Sequence, residues 1–209
     1  MVPAMRRFVI VGQRARTEGD FLLADIPSTS GRLDVLLRAL RAALLVSHSV
    51  RRDTVVYLVL LGSPERVRTV RIEGSAARYL RPDERSLATT LKKALLCPVS
   101  SAAFTPVRPG IAVAADGLAS VLPELADSRL FLLEPGGEDV RNCDFSHAEN
   151  TFLLGDHLGL TPEVRESWLR LGAQRVGVGP VAIYTEDTIA VVANELDRHA
   201  FVSDLGSGR

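Results

Sequence analysis

Residues 151–198 read TFLLGDHLGL, TPEVRESWLRLGAQ, RVGVGPVAIY and TEDTIAVVANELDR in succession, and this stretch decides the fold. Phe152, Leu153 and Leu154 form a short apolar run that stops at Gly155, the signature of a buried strand. Thr161 suits a helix N-cap with Pro162 in the first turn, and Val164, Trp168 and Leu171 share one helical face. Gly172 sits where such a helix ends. Residues 175–179 are short and apolar again, and Pro180 breaks them. Thr185 is the expected cap of a last helix. Glu186 and Asp187 suit its positive end, and Ile189, Val192, Ala193 and Leu196 form its buried stripe. Two glycine-containing loops, at 155–159 and 177–184, therefore leave the same ends of two parallel strands, where open α/β sheets bind ligands. Ordinary connections would show the same spacing.

Working outward, residues 130–134 (LFLLE) predict another strand, ended by Pro135-Gly136-Gly137, so that a third loop joins the first two. At the other end of the chain, residues 7–12 (RFVIVG) predict a first buried strand. Residues 13–31 read as a long polar loop, of the kind that is often functional. Residues 32–47 predict an amphipathic helix with Leu33, Leu36, Leu37, Leu40 and Leu44 on one face. SHSVRRD then leads into a strand at 54–61. In that link Asp53 is expected to orient one of Arg51 and Arg52 and leave the other free. Residues 67–72 predict a strand paired with it, 84–96 a helix, 98–110 a linker-like connection, 111–114 a strand and 118–125 a helix. The whole reads as one α/β domain.

The chain has 209 residues, of which 46% are hydrophobic and 24% charged, as expected of a globular protein with a proper core. Its longest apolar run, at 55–61, is too short to span a bilayer, and the N-terminus lacks a secretory core, so a cytoplasmic protein is expected. Cys97 and Cys143 lie in no CxxC pair, and no HExxH, GxSxG, GxxxxGK[ST] or GxGxxG occurs. These absences argue against a zinc protease, an α/β-hydrolase, a P-loop enzyme and a common dehydrogenase, and no metal is expected. Net charge is zero but segregated. Residues 1–100 carry 17 Lys+Arg against 9 Asp+Glu, and residues 101–209 carry 8 against 16. Arginine-rich codon usage explains the scarcity of lysine but not the segregation, which points to an anionic partner such as nucleic acid.

FLLGDHLGL, followed by VGVGP and then by IAVVANELDR, resembles the cofactor end of the SPOUT (α/β-knot) methyltransferases. GRLDVLLR with SHSVRRD, RPDERS and LFLLEPGGEDVR extend the likeness to the archaeal-type tRNA pseudouridine N1-methyltransferases, over about residues 6–198. The Arg32-x-Asp34 element is also similar to one in the ribosomal-RNA pseudouridine N1-methyltransferases. The resemblance implies an α/β fold with a largely parallel central sheet flanked by helices and a C-terminal trefoil knot at about 129–198. It further implies a homodimer and S-adenosyl-L-methionine as cofactor, with tRNA methylated at N1 of pseudouridine in the T-loop, position 54. Carried onto this chain, the cofactor loops are those at Leu132 and Leu133, at Gly155, and at Val178, Gly179, Pro180, Val181, Ala182 and Ile183. Thr188 also falls at a cofactor position. The family usually has His-Cys-Ile where this chain has Asp187-Thr188-Ile189, which argues against an obligatory nucleophile there. Arg32 and Asp34 are the catalytic candidates, although an Arg–Asp pair at a helix start equally fits a structural salt bridge. Glu134 and Asp156 flank the cofactor loops. The basic half, about 6–97, would face RNA through Arg51, Arg52, Arg78 and Arg81. A non-catalytic RNA-binding member of the fold, or an enzyme for another RNA site, is the alternative.

Overall fold

The structure is a computed structural model that describes residues 4–63 and 66–206, with side chains to residue 201. In chain order it runs β1 (Met5–Gly12), α1 (Ile26–Thr29), α2 (Leu33–Leu44), β2 (Leu45–Val46), β3 (Ser49–Val50), β4 (Thr54–Leu60), β5 (Arg68–Glu73) and α3 (Glu84–Leu95). It continues with β6 (Thr105–Arg108), β7 (Ile111–Ala114), β8 (Arg129–Asp139), β9 (Glu149–Gly155), α4 (Pro162–Arg170), β10 (Gln174–Gly177) and α5 (Thr185–Gly206). One sheet, ordered β10-β8-β9-β1-β4-β5-β7-β6, passes through both halves of the chain. From β10 to β4 every neighbouring pair is parallel, and from β4 to β6 every pair is antiparallel.

β1 is nearly all apolar because it is central and covered on both faces. Phe8 and Ile10 point into a core shared with α2, α3 and α5. Val9 and Val11 point into a smaller core with Leu132, Leu153 and Trp168 of α4. Phe8, Phe152 and Phe131 stack across β1, β9 and β8 with ring centroids 5.4 and 5.0 Å apart, a cross-strand ladder that favours this register. On the other face, the Trp168 indole donates to the Phe131 carbonyl at 3.2 Å.

Several expectations need correction. The helix predicted to 47 ends at Leu44, because 45–50 fold into the β2–β3 hairpin with His48 in a left-handed turn (φ 61°). The loop at 13–31 contains α1, and the connection at 98–110 contributes the edge strand β6, where Pro106 is tolerated. The helix expected at 118–125 is two 3₁₀ turns. Pro135-Gly136-Gly137 does not end β8. The β8–β10 register instead jumps from Arg175 opposite Leu132 to Val176 opposite Glu138, so the intervening residues bulge out of the ladder. Leu171, expected on the buried face of α4, is 51% exposed, whereas Trp168 is buried. Thr161 caps α4 as expected, and the α5 stripe is buried, but Thr185 is the first residue of α5 rather than its cap. Asp53 pairs with Arg6, not with Arg51 or Arg52.

Trp168 is the largest side chain filling the smaller core and the one that ties α4 to β8. Trp168→Ala is expected to destabilise the protein by about 3–5 kcal/mol, and Trp168→Phe by less. Urea unfolding checks this; a loss below about 1 kcal/mol for the alanine variant would contradict it.

Candidate functional site

The carboxyl ends of β8, β9 and β10 lie side by side, and the loops that leave them are pinned by close backbone contacts. A Cβ on Gly155 would sit 2.2 Å from the Gly159 carbonyl group, so only glycine lets the 155–159 loop fold back on its strand. The buried Asp156 carboxylate holds that loop, accepting from the Leu158 amide at 2.8 Å and from the Gln13 amide at 3.0 Å. The Gln13 side chain donates to the Gly159 carbonyl at 2.9 Å, so the exit of β1 clamps the exit of β9. The bulged part of β8 lies against β10, where a Cβ on Gly137 would be 2.5 Å from the Val176 nitrogen. The Thr185 hydroxyl donates to the Gly155 carbonyl at 2.9 Å and draws the start of α5 onto the same point.

These loops enclose a cleft of about 190 Å³. Of the residues expected at a cofactor site, Leu133, Gly155, Val178, Gly179, Val181, Ala182, Ile183 and Thr188 line it. Leu132 does not, since alternation along β8 turns it into the smaller core; Pro180 is exposed and outside the lining. Glu134, Asp156, Gly159 and Thr185 line it as well. Glu134 is not a free charge: Arg165 grips it with two bonds of 2.7 and 2.8 Å, and Arg175 also pairs with it. The hydrogen bonds from Arg165, then those from Arg175, hold its carboxyl below the usual carboxylate range despite burial. The wall is thus apolar side chains and backbone with its carboxylates engaged. Positions 159 and 179, where a Cβ would meet nothing within 4 Å, leave open space for a ligand.

Arg32 and Asp34 do come together, beside this cleft. Gly31 and Arg32 both have left-handed backbones (φ 65° and 66°), and a Cβ on Gly31 would strike the Arg14 carbonyl at 1.8 Å. This turn reverses the Arg32 guanidinium onto Asp34 in a fork of 3.0 and 3.1 Å. Arg38, one turn along α2, donates to the same carboxylate at 3.0 Å and to Glu186 of α5 at 2.8 Å. Glu186 is two residues from Thr188 in the cleft wall. Burial alone would raise the Asp34 carboxyl, but hydrogen bonds from Arg32 and Arg38 outweigh it and hold the group below its ordinary value. Sequence reasoning missed Gln13, Arg38 and Glu186. Gln13 had a usable signal, as the first residue past a central parallel strand; Arg38 and Glu186 carry none, being remote in sequence.

Arg51, Arg52, Arg78 and Arg81 lie elsewhere. Arg51 forks Asp197 of α5 at 2.8 and 2.7 Å. Arg52 is exposed and donates to the Ser75 carbonyl at 3.0 Å, and Arg78 and Arg81 are exposed. Arg52 and Arg78 flank the opening end of β4, opposite the cleft, and Arg81 follows in the turn before α3. Among the described residues no group of three or more His, Cys, Asp or Glu side chains is gathered as a metal site requires, and no helix is long and apolar enough to cross a membrane.

The profile of a family described as "Putative SAM-dependent RNA methyltransferase" matches residues 5–201. A tRNA (pseudouridine(54)-N(1))-methyltransferase of Methanosarcina acetivorans is 41% identical over 194 residues, covering 93% of this chain and 92% of the relative. Its counterpart from Methanosarcina mazei is 40% identical over 196 residues, with coverage of 93% and 92%. Among solved structures, Archaeoglobus fulgidus Nep1 bound to S-adenosylhomocysteine superposes with a TM-score of 0.60 at 14% identity, covering 94% of this chain and 98% of that one. At that identity the likeness speaks to the fold, a SPOUT-type α/β sheet flanked by helices. With a family profile along nearly its whole length and relatives at about two-fifths identity, the chain belongs to the S-adenosylmethionine-dependent tRNA (pseudouridine-N1)-methyltransferase family.

Proposed function

We propose that this protein methylates N1 of pseudouridine 54 in tRNA, the reaction named for its relatives, with S-adenosylmethionine held in the cleft between β8, β9 and β10. The observation that carries the reading is the closure of three strand-end loops on one cleft by the Gly155–Gly159 contact and the Thr185 hook. When bound there, the cofactor supplies an electrophilic methyl group on a sulfonium. Leu133, Val178, Val181 and Ile183 offer it an apolar wall, and Thr188 a hydroxyl. Excluding water from that wall strengthens the alignment on which the transfer depends.

The acceptor nitrogen is imide-like and loses its proton as its bond to the methyl carbon forms and the sulfur–methyl bond breaks. The carboxylates lining the cleft, Glu134 and Asp156, are engaged, so the proton leaves to bulk solvent. Asp34 is a poor base, because two guanidinium groups occupy its carboxylate. Its role is to position Arg32. The half-exposed Arg32 guanidinium is the group that touches the substrate, stabilising the negative charge that spreads over the ring carbonyls as the proton leaves. Arg52, Arg78 and Arg81 hold RNA phosphates, and Arg51 shapes that surface through Asp197. The assembly is a homodimer whose protomers are single domains knotted at about 129–198. Exposed Val181, Ile183 and Tyr184 at the rim of the cleft support contact with a second copy.

Methyl transfer from labelled cofactor to a tRNA transcript carrying pseudouridine 54 tests the function; equal transfer to the transcript with uridine 54, or none to either, would refute it. Gly155→Val is expected to weaken cofactor binding by more than tenfold in calorimetry, since its side chain meets backbone rather than a flexible neighbour. Arg32→Ala is expected to lower single-turnover transfer by about 100-fold, with cofactor affinity within threefold of wild type; an unaltered rate would remove Arg32 from the reaction. Asp34, with its folded value depressed below 3.8, contributes stability that is fully present above that pH and is lost as pH falls through the folded value. Asp34→Asn is therefore expected to flatten the fall in melting temperature as pH drops below the ordinary carboxylate range. Parallel wild-type and variant curves would show that the pair carries no linked stability.

A further inference from the structure

At the end of the sheet opposite the cleft, three loops meet: the one before β4, the one after β5 and the turn between β6 and β7. Glycines allow the contact. A Cβ on Gly74 would lie 1.8 Å from the Arg51 carbonyl oxygen, and one on Gly110 would lie 2.2 Å from the Ala77 nitrogen. The Gly74 amide donates to the Thr54 carbonyl at 2.9 Å and the Ala77 amide to the Glu73 carbonyl at 2.8 Å, so the junction is fixed before any partner arrives. It presents a shallow depression lined by Arg52, Ser75, Arg78 and Pro109. Arg81 and Arg85 follow, both exposed. The acids nearby are Asp53, paired with Arg6, Glu73, paired with Arg71, Asp83, whose carboxylate caps α3 through the Ser86 amide, and Glu84 in the first turn of α3. Among the described residues none of these acids pairs with Arg52, Arg78 or Arg81.

Tyr79 stands in this surface and is the most exposed large apolar side chain described, at 89%. Its backbone is left-handed, with φ 62°. That conformation is disfavoured for a bulky residue, and strain of this kind persists where the surroundings impose it and clusters at binding sites. Among the described residues its ring makes no aromatic or cation–π contact and its hydroxyl no hydrogen bond, so internal bonding gives no reason for the exposure. An exposed aromatic ring beside arginines free of ion pairs is a combination that binds single-stranded nucleic acid: bases stack on the ring while guanidiniums hold the backbone.

We propose that residues 74–81 with Arg52 form a second RNA contact, in which Tyr79 stacks on one unpaired base and Arg52 and Arg78 hold the neighbouring phosphates. The proposal rests on the tRNA-methyltransferase reading for the identity of the RNA. β4, with seven residues, separates this surface from the cleft end of the sheet by on the order of 20 Å. Within one protomer the stacked base is therefore a different nucleotide from the one being methylated, and this contact acts on RNA binding rather than on the chemistry.

Tyr79→Ala, Tyr79→Phe and Arg78→Ala, assayed for binding of a full-length tRNA transcript across a salt series, provide the test. Tyr79→Ala is expected to weaken binding about tenfold, without changing the salt slope, and the loss appears in KM for tRNA. Tyr79→Phe is expected to stay near wild type, because stacking does not need the hydroxyl. Arg78→Ala is expected to reduce the salt slope by about one. Cofactor affinity and melting temperature are measured alongside to confirm folded protein. Tyr79→Ala binding within twofold of wild type, or Tyr79→Phe losing as much as Tyr79→Ala, would overturn the proposal. Wild-type protein that binds tRNA through Tyr79 but transfers no methyl group would instead refute the proposed function and leave this contact standing.

Discussion

The approach of Gly155 to the Gly159 carbonyl, closer than any Cβ permits, is the constraint on which the rest of the site depends. It lets β9 turn back within five residues, so that Asp156 meets the backbone leaving β1 and Thr185 meets the carbonyl at the turn. Two strands and a helix are thereby joined by short side chains bonded to main-chain groups, which have little freedom to drift. Side chains then only line a cleft whose shape backbone atoms have already set. The Phe8–Phe152–Phe131 stack holds the same strands in register from within the core. Packing inside the sheet and hydrogen bonding at its edge act on one set of strands.

Charge in this molecule divides by position. The N-terminal excess of arginine suggested a basic surface, but part of it is internal. Arg6 and Arg51 converge on Asp197, and Arg71 and Tyr57 share Glu124. Acids of the C-terminal half thus neutralise arginines of the N-terminal half inside the fold. Arg52, Arg78 and Arg81 are left without such partners, and the first two meet at one end of the sheet. The segregation seen along the chain reports both internal pairing and an outward face, and only the tertiary structure separates the two.

Legibility in the sequence followed locality. The buried stripe of α5, the Thr161 cap and the strand ending at Gly155 are encoded by neighbours within a turn or two, and they were readable, whereas the strand read at 175–179 in fact spans Gln174–Gly177. The early end of α2 was not, because the helical period continues past Leu44 and only pairing of Leu45 with Val50 overrides it. Leu132 and Leu133 illustrate the same limit at the site. Both belong to one apolar run, and which of them meets the cleft depends on the register of β8 against partners far along the chain. Arg32 and Asp34 were identifiable as a pair, but their attachment through Arg38 to Glu186 spans 148 residues and leaves no local trace.

The jump in the β8–β10 ladder separates two properties that a strand usually couples. Arg175 and Val176 are consecutive, yet their partners Leu132 and Glu138 are not. The extra residues form a wall of the cleft without occupying positions in the sheet. Glu134 in that wall is fastened by Arg165 and Arg175, and Gly137 rests on Val176, so the bulge is held in place while the flanking rungs keep their alignment. The mouth of the pocket is thus shaped by residues that ion pairs, rather than rungs of the ladder, hold in position.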